Sequence, residues 1–152
     1  MEKTFFSNFI YKNDLNDPVI VEVGSINTKG ARRASKIFEN HKYIYYEASK
    51  YNYARLKENI SSIPNTSAFH YAVTENNKPL NFHEFGIRRK NVEKNAISAS
   101  LFDRSKNEKK FHIHSKYKVN CVTLSDILQQ NNLEKIDYLI SNCEGGEEGF
   151  LT

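Results

Sequence analysis

A β-branched run, Val19-Ile20-Val21-Glu22-Val23, passes directly into Gly24, a small polar loop (Ser25-Ile26-Asn27-Thr28) and then an amphipathic segment. This strand–loop–helix sequence constrains the fold more than any other feature of the chain. A run so short and so rich in branched side chains suits a buried strand. Asp17-Pro18 forms a turn before it, and after it Ala31, Ala34, Ile37 and Phe38 fall on one helical face. Thr28 or Asn27 can cap that helix.

The same grammar recurs downstream. Residues 43–46 read as a second strand ending in Glu47, and Ser49 caps a helix with Tyr53, Leu56 and Ile60 on one face. A turn at Pro64-Asn65 leads to a third strand over 67–73, and Asn76-Asn77-Lys78-Pro79 to a hairpin-like strand over 80–85. Residues 86–118 read mostly as loop, closing in a strand over 117–122. Thr123 and Asp126 have the form of a capping box opening a helix over 124–130, and 137–141 is the last strand. Strands alternating with helices predict an open, mostly parallel α/β sheet. With 152 residues, no repeat and no linker, the chain is expected to be one domain, 1–152, with 1–18 as a lead-in. The basic stretch 86–118 is longer than a compact domain carries without a role, which makes it a lid or substrate segment.

Composition narrows the class. Nineteen Phe and Tyr exclude a wholly disordered chain, and no apolar stretch approaches the eighteen residues of a membrane span. The net charge of +4 is local: residues 84–118 hold ten Lys/Arg against four acids, so the rest of the chain is acidic by two. That points to a local anionic partner or a solvated loop, and away from general nucleic-acid binding. Two cysteines, Cys121 and Cys143, make no disulfide framework and read as buried thiols in a reducing compartment. The N-terminus lacks an apolar signal core, so a cytoplasmic location is expected. His112 and His114 could share a strand face, but no ligand set completes a metal site, so none is expected.

Chemistry concentrates at the first loop. In open α/β sheets ligands bind beyond the carboxyl ends of the strands, where a glycine lets the backbone approach them. Glu47 lies 23 positions after Gly24, the spacing at which an acid ending strand two hydrogen-bonds ribose. There is no glycine-rich phosphate fingerprint, which favours adenosine without phosphates over a diphosphate. The plainer reading keeps Gly24 as a strand-end turn and Glu47 as a surface acid.

Six blocks then occur in order: EVG, YYEAS with LKENI, FHYAVTENN, ASLF, VNCVTLSDIL and IDYLISNCEGGEEGFL. In this order the chain resembles the FkbM family of S-adenosylmethionine-dependent methyltransferases, with the last block the most specific. The resemblance implies a Rossmann-like class I methyltransferase sheet and S-adenosylmethionine as cofactor. It places Glu22, Gly24 and Asn27 at the first cofactor loop, Glu47 on the ribose, Tyr71 and Ala72 on the adenine side, and Ser98 and Ser100 close by. It sets Glu144 beside the methyl-transfer centre, as a base or as a helix N-terminal acid, with Asn142 near it. The implied reaction is O-methylation of a hydroxyl on a sugar or glycan-type acceptor, with no nucleic-acid partner.

The chain also departs from the family pattern. The second glycine of the first loop is displaced to Gly30, and Ile140 and Asn142 stand where the family usually has Lys and Asp. Asn142 can hydrogen-bond an acceptor but cannot serve as a base. The resemblance further implies a fifth strand and a hairpin after the last block, so a sheet incomplete at the C-terminus is expected. The alternative it leaves is a truncated or degenerate, non-catalytic relative.

Overall fold

The computed structural model describes residues 16–89, 92–100 and 111–143. Its centre is a four-stranded parallel sheet of β1 (Val19–Val23), β2 (Lys42–Tyr46), β3 (Thr66–Phe69) and β9 (Tyr138–Ser141), in the order β3-β2-β1-β9. Two short strands, β4 (Ala72–Val73) and β8 (Cys121–Val122), pair in parallel. Between them lies an antiparallel sheet of β5 (Leu80–Arg89), β6 (Val92–Ser100) and β7 (Phe111–Val119), with β5 in the middle.

Side chains alternate across the parallel sheet as strand geometry requires. Ile20, Tyr43 and Tyr45 face α1 (Lys29–Ile37) and α2 (Lys50–Ile60), where they bury Ala31, Ala34, Leu56 and Ile60. Val21, Val23, Ile44 and Tyr46 face the other way, toward Val73, Val122 and Ile127 of α3 (Leu124–Gln130). Helices thus cover both faces, so β1 and β2 are buried on both sides. A third cluster, Ala72, Phe82, Val119 and Cys121, joins the β4–β8 pair to the antiparallel sheet.

Local signals hold where the elements are local. Ser49 Oγ accepts the Asn52 N–H at 3.2 Å, and Thr123 and Asp126 close both halves of the capping box. At α1 the residue in the N-cap position, Thr28, makes no side-chain cap; Asn27 Oδ1 takes the Lys29 N–H instead, at 3.0 Å. Ile37, expected on the buried face of α1, is 38% exposed. The backbone turns extended at Phe38 (φ −121°, ψ 131°), so Phe38 alone fills the buried place.

Three expectations are corrected. The single strand expected over 67–73 is two, because the chain leaves β2's side after Phe69 and re-enters beside β8. The strand expected over 117–122 divides at Asn120 for the same reason. The stretch 86–118 is not mostly loop: β5 continues to Arg89, and β6 and β7 lie within it. Antiparallel strands with a solvated face tolerate charge at alternate positions. On β7, Lys116 and Lys118 are exposed while Ser115 and Tyr117 are half-buried, so the lysines conceal the period of two.

Candidate active site

The register brings four strand ends level. Val23 lies opposite Tyr46 and Ser141, and Tyr46 opposite Phe69. The ladder then continues one residue further. Asn142 N–H donates to Val23 O at 2.9 Å, Gly24 N–H to Tyr46 O at 2.9 Å, and Glu47 N–H to Phe69 O at 3.1 Å. Gly24, Glu47 and Asn142 are therefore held side by side along one rim of the sheet.

Gly24 is required there twice over. Its φ is +77°, and a Cβ would stand 2.6 Å from the Asn142 carbonyl oxygen. An L side chain would be strained in that conformation and would push the end of β9 away.

Beneath the loop, Tyr43 donates its hydroxyl to Glu22 Oε2 at 2.5 Å, and Tyr45 donates to Asn27 O at 3.1 Å. Asn27 N–H is taken by Ser25 Oγ at 3.1 Å. Burial pushes the Glu22 carboxyl upward, outweighing the hydrogen bonds from Tyr43, Ser25 and Tyr45 that pull it down. Burial also raises both tyrosine hydroxyls, which stay protonated as donors. Gly30 makes this possible, because a Cβ at that position would run into the Tyr43 hydroxyl. The displaced glycine thus leaves room for the bond that fixes Glu22. Glu22 and Asn27 shape the loop from below and from within.

Glu47 directly follows β2, with only 4% of its surface exposed. Its Oε1 accepts the Ser49 N–H at 2.7 Å. Burial is the main cause that lifts its pKa to about 7, with the charge of Glu84 adding to the rise and the backbone N–H groups of Ser49 and Ala48 opposing it. Among the described residues no cation pairs with it. A carboxyl with backbone donors alone suits neutral hydroxyl donors and repels phosphate.

The other expected residues divide. Tyr71 follows β3 within reach of the rim, its ring 6.5 Å from that of Tyr46, and packs with the α3-side core. Ala72 is buried in β4, its N–H bonded to Asn120 O at 3.0 Å. Ser98 and Ser100 sit on β6, opposite Phe85 and His83, and their side chains lie outside the described residues, as do those of His112 and His114. Glu144 lies outside the described residues altogether. Cys121 is buried and Cys143 is half-buried, its Sγ 3.7 Å from the Val23 carbonyl oxygen. Among the described residues no cluster could hold a metal ion, and no helix is long and apolar enough to cross a membrane.

Sequence reasoning missed two structural features. Asp137 Oδ2 accepts the Val19 N–H at 2.9 Å, clasping β9 to β1 at the end of the sheet away from the rim. Glu84, on β5, reaches Ser49 at the start of α2. Both bonds join residues far apart in the chain, and no local spacing announces them.

A family model for the methyltransferase FkbM domain matches residues 16–152, nearly the whole chain. The chain belongs to the FkbM methyltransferase family. Comparison with curated proteins and with solved structures gives no match. The mixed α/β architecture, with its four-stranded parallel sheet, is consistent with a Rossmann-like methyltransferase. In this FkbM domain the block 136–143 straddles β9, with Asp137 just before the strand and Asn142 just after it.

Proposed function

We propose that the protein transfers a methyl group from S-adenosylmethionine to a hydroxyl of a sugar or glycan-type acceptor in the cytoplasm. The observation that carries this reading is the rim itself, where ladder bonds hold Gly24, Glu47 and Asn142 abreast. Gly24 offers backbone without a side chain, and the adjacent Glu47 offers a buried carboxyl to ribose hydroxyls. Tyr71, after β3, supplies an aromatic face for an adenine ring. Ala72, Ser98 and Ser100 complete the cofactor side, and Glu22 and Asn27 hold the loop. When bound, S-adenosylmethionine supplies an electrophilic methyl carbon on a sulfonium.

Positioning dominates what the chain must add. Holding an acceptor oxygen at near-attack distance is worth roughly 7–11 kcal/mol in the best cases. Asn142, exposed at the end of β9, can accept a hydrogen bond from an acceptor hydroxyl or donate one to it. Glu144, two residues on, is the base for the acceptor proton. The ten Lys/Arg of residues 84–118 suit an acidic acceptor, such as a nucleotide sugar or an acidic glycan. Two cysteines, too few for a disulfide framework, suit a reducing compartment.

Calorimetric titration of the full chain with S-adenosylhomocysteine, with circular dichroism as the folding control, tests the reading. Micromolar binding that Glu47→Ala abolishes supports it. A cooperatively folded chain that binds nothing overturns it.

A further inference from the structure

Glu84 is a carboxylate that the reaction, as read above, does not use. It lies on β5 with 6% of its surface exposed. Three hydroxyls donate to it, Ser49 at 2.6 Å and Tyr117 at 2.8 Å on Oε1 and Ser115 at 2.8 Å on Oε2, and the Tyr51 backbone N–H adds to them. Burial alone would raise its pKa, but these bonds prevail and lower it, so it is ionised. Hydrogen bonds to the charged form have that effect.

Ser49 joins two carboxylates. Its N–H donates to Glu47 at 2.7 Å, its hydroxyl donates to Glu84, and its Oγ accepts the Asn52 N–H at 3.2 Å. An ionised carboxylate only accepts, so the Ser49 hydroxyl proton must point at Glu84, which leaves its lone pair for the helix. Tyr117 reinforces the junction. Its Oη accepts the Lys50 N–H at 2.8 Å, and the Lys50 ammonium stands 4.4 Å from its ring centre. The first turn of α2 is therefore fastened to the antiparallel sheet through Glu84 and Tyr117. The titratable and charged groups around the junction are Glu84 and Tyr117 of that sheet, Lys50 and Tyr53 of α2, and His70 after β3, which bonds Ala48 O at 3.0 Å.

We propose that Glu84 is a positioning residue for Glu47. By accepting the Ser49 hydroxyl it fixes the Ser49 N–H on the carboxyl that receives the ribose, and so makes the antiparallel sheet part of the cofactor site. This rests on the reading of Glu47 as the ribose ligand.

The test uses the full chain as wild type, Glu84→Ala, Glu84→Gln and Glu47→Gln. S-adenosylhomocysteine affinity is measured from about pH 5 to pH 9, and the Glu47 carboxyl is followed by carbon NMR. In the wild type, affinity falls about tenfold per unit as pH drops below the Glu47 pKa, and Glu47→Gln lacks that limb. At high pH Glu84→Ala binds about tenfold more weakly, whereas Glu84→Gln, which keeps an acceptor for Ser49, binds within about twofold of wild type. Glu84→Gln also moves the Glu47 titration to lower pH, because a like charge has gone.

A Glu47 titration unchanged in Glu84→Gln, with wild-type binding intact, overturns the positioning role alone. So does a folded Glu84→Ala that binds as the wild type does. If Glu84→Ala fails to fold, Ser49→Ala, which removes the hydroxyl that Glu84 accepts, decides: weaker binding supports the role and wild-type binding overturns it. A wild type that binds no S-adenosylhomocysteine overturns the cofactor reading and this proposal with it.

Discussion

The two ends of the parallel sheet treat their carboxyl groups in opposite ways. At the amino end of β9, Asp137 holds the Val19 N–H and pairs with the Lys135 ammonium at 2.7 Å. Burial would raise its pKa, but those two partners outweigh it and hold the group below its usual range. At the carboxyl rim, burial wins and lifts both Glu22 and Glu47. One end is arranged for the apo fold. The other keeps a carboxyl in a state that folding alone does not favour, which is how a ligand site often looks.

Four substitutions break or sharpen this contrast, the largest effect first. Gly24→Ala introduces left-handed strain and a contact with the Asn142 carbonyl, and should cost about 3 kcal/mol in urea unfolding. A cost under half of that would mean the rim yields more readily than its ladder bonds imply.

Glu47→Gln should stabilise the ligand-free protein at pH 8 by about 2 kcal/mol, and scarcely at all at pH 4. The sign follows from the raised pKa. Between the ordinary value and about 7 the folded state binds more protons than the unfolded one, so stability falls as pH rises through that window. The same variant should bind S-adenosylhomocysteine more weakly at pH 8, so stability and binding would move in opposite directions.

Asp137→Ala should cost about 1 kcal/mol at neutral pH by leaving the Val19 N–H without its acceptor. Its lowered pKa gives the reverse pH dependence: the stabilisation is complete above the unfolded pKa and lost as pH falls through the folded one, which unfolding at a series of acid pH values measures. Lys135→Ala should change stability by only about 0.3 kcal/mol, since that ammonium is 69% exposed and water screens the pair. Binding of S-adenosylhomocysteine should be unaffected by either change at the amino end.

What could be read in the sequence was what neighbouring residues decide. The Thr123–Asp126 capping box, the Ser49 cap and the end of β1 at Gly24 each rest on a few adjacent positions, and each appears as read. Misreadings arose where a partner lay elsewhere in the chain. Nothing in residues 67–73 says that the chain must change neighbours after Phe69, and nothing around Glu84 says that its donors are Ser49, 35 positions earlier, and Tyr117, 33 later. For the candidate site, Gly24 and Glu47 were marked by spacing, and the ladder bonds set Asn142 beside them. The clasp at Asp137 has no local signal, because its partner, Val19, lies 118 positions earlier on another strand.

The pairing of β4 with β8 has a consequence for modularity. Ala72 lies opposite Cys121 and Val73 opposite Val122, and bonds from Ala72 to Asn120 and from Thr74 to Val122 extend the match at both ends. Everything between is an excursion that departs from and returns to one fixed seam. Such a segment can be exchanged for another of different length at small entropic cost. A transplanted excursion would need apolar side chains in place of Phe82 and Val119 to pack on Ala72 and Cys121, and an acceptor for the Ser49 hydroxyl to hold the first turn of α2.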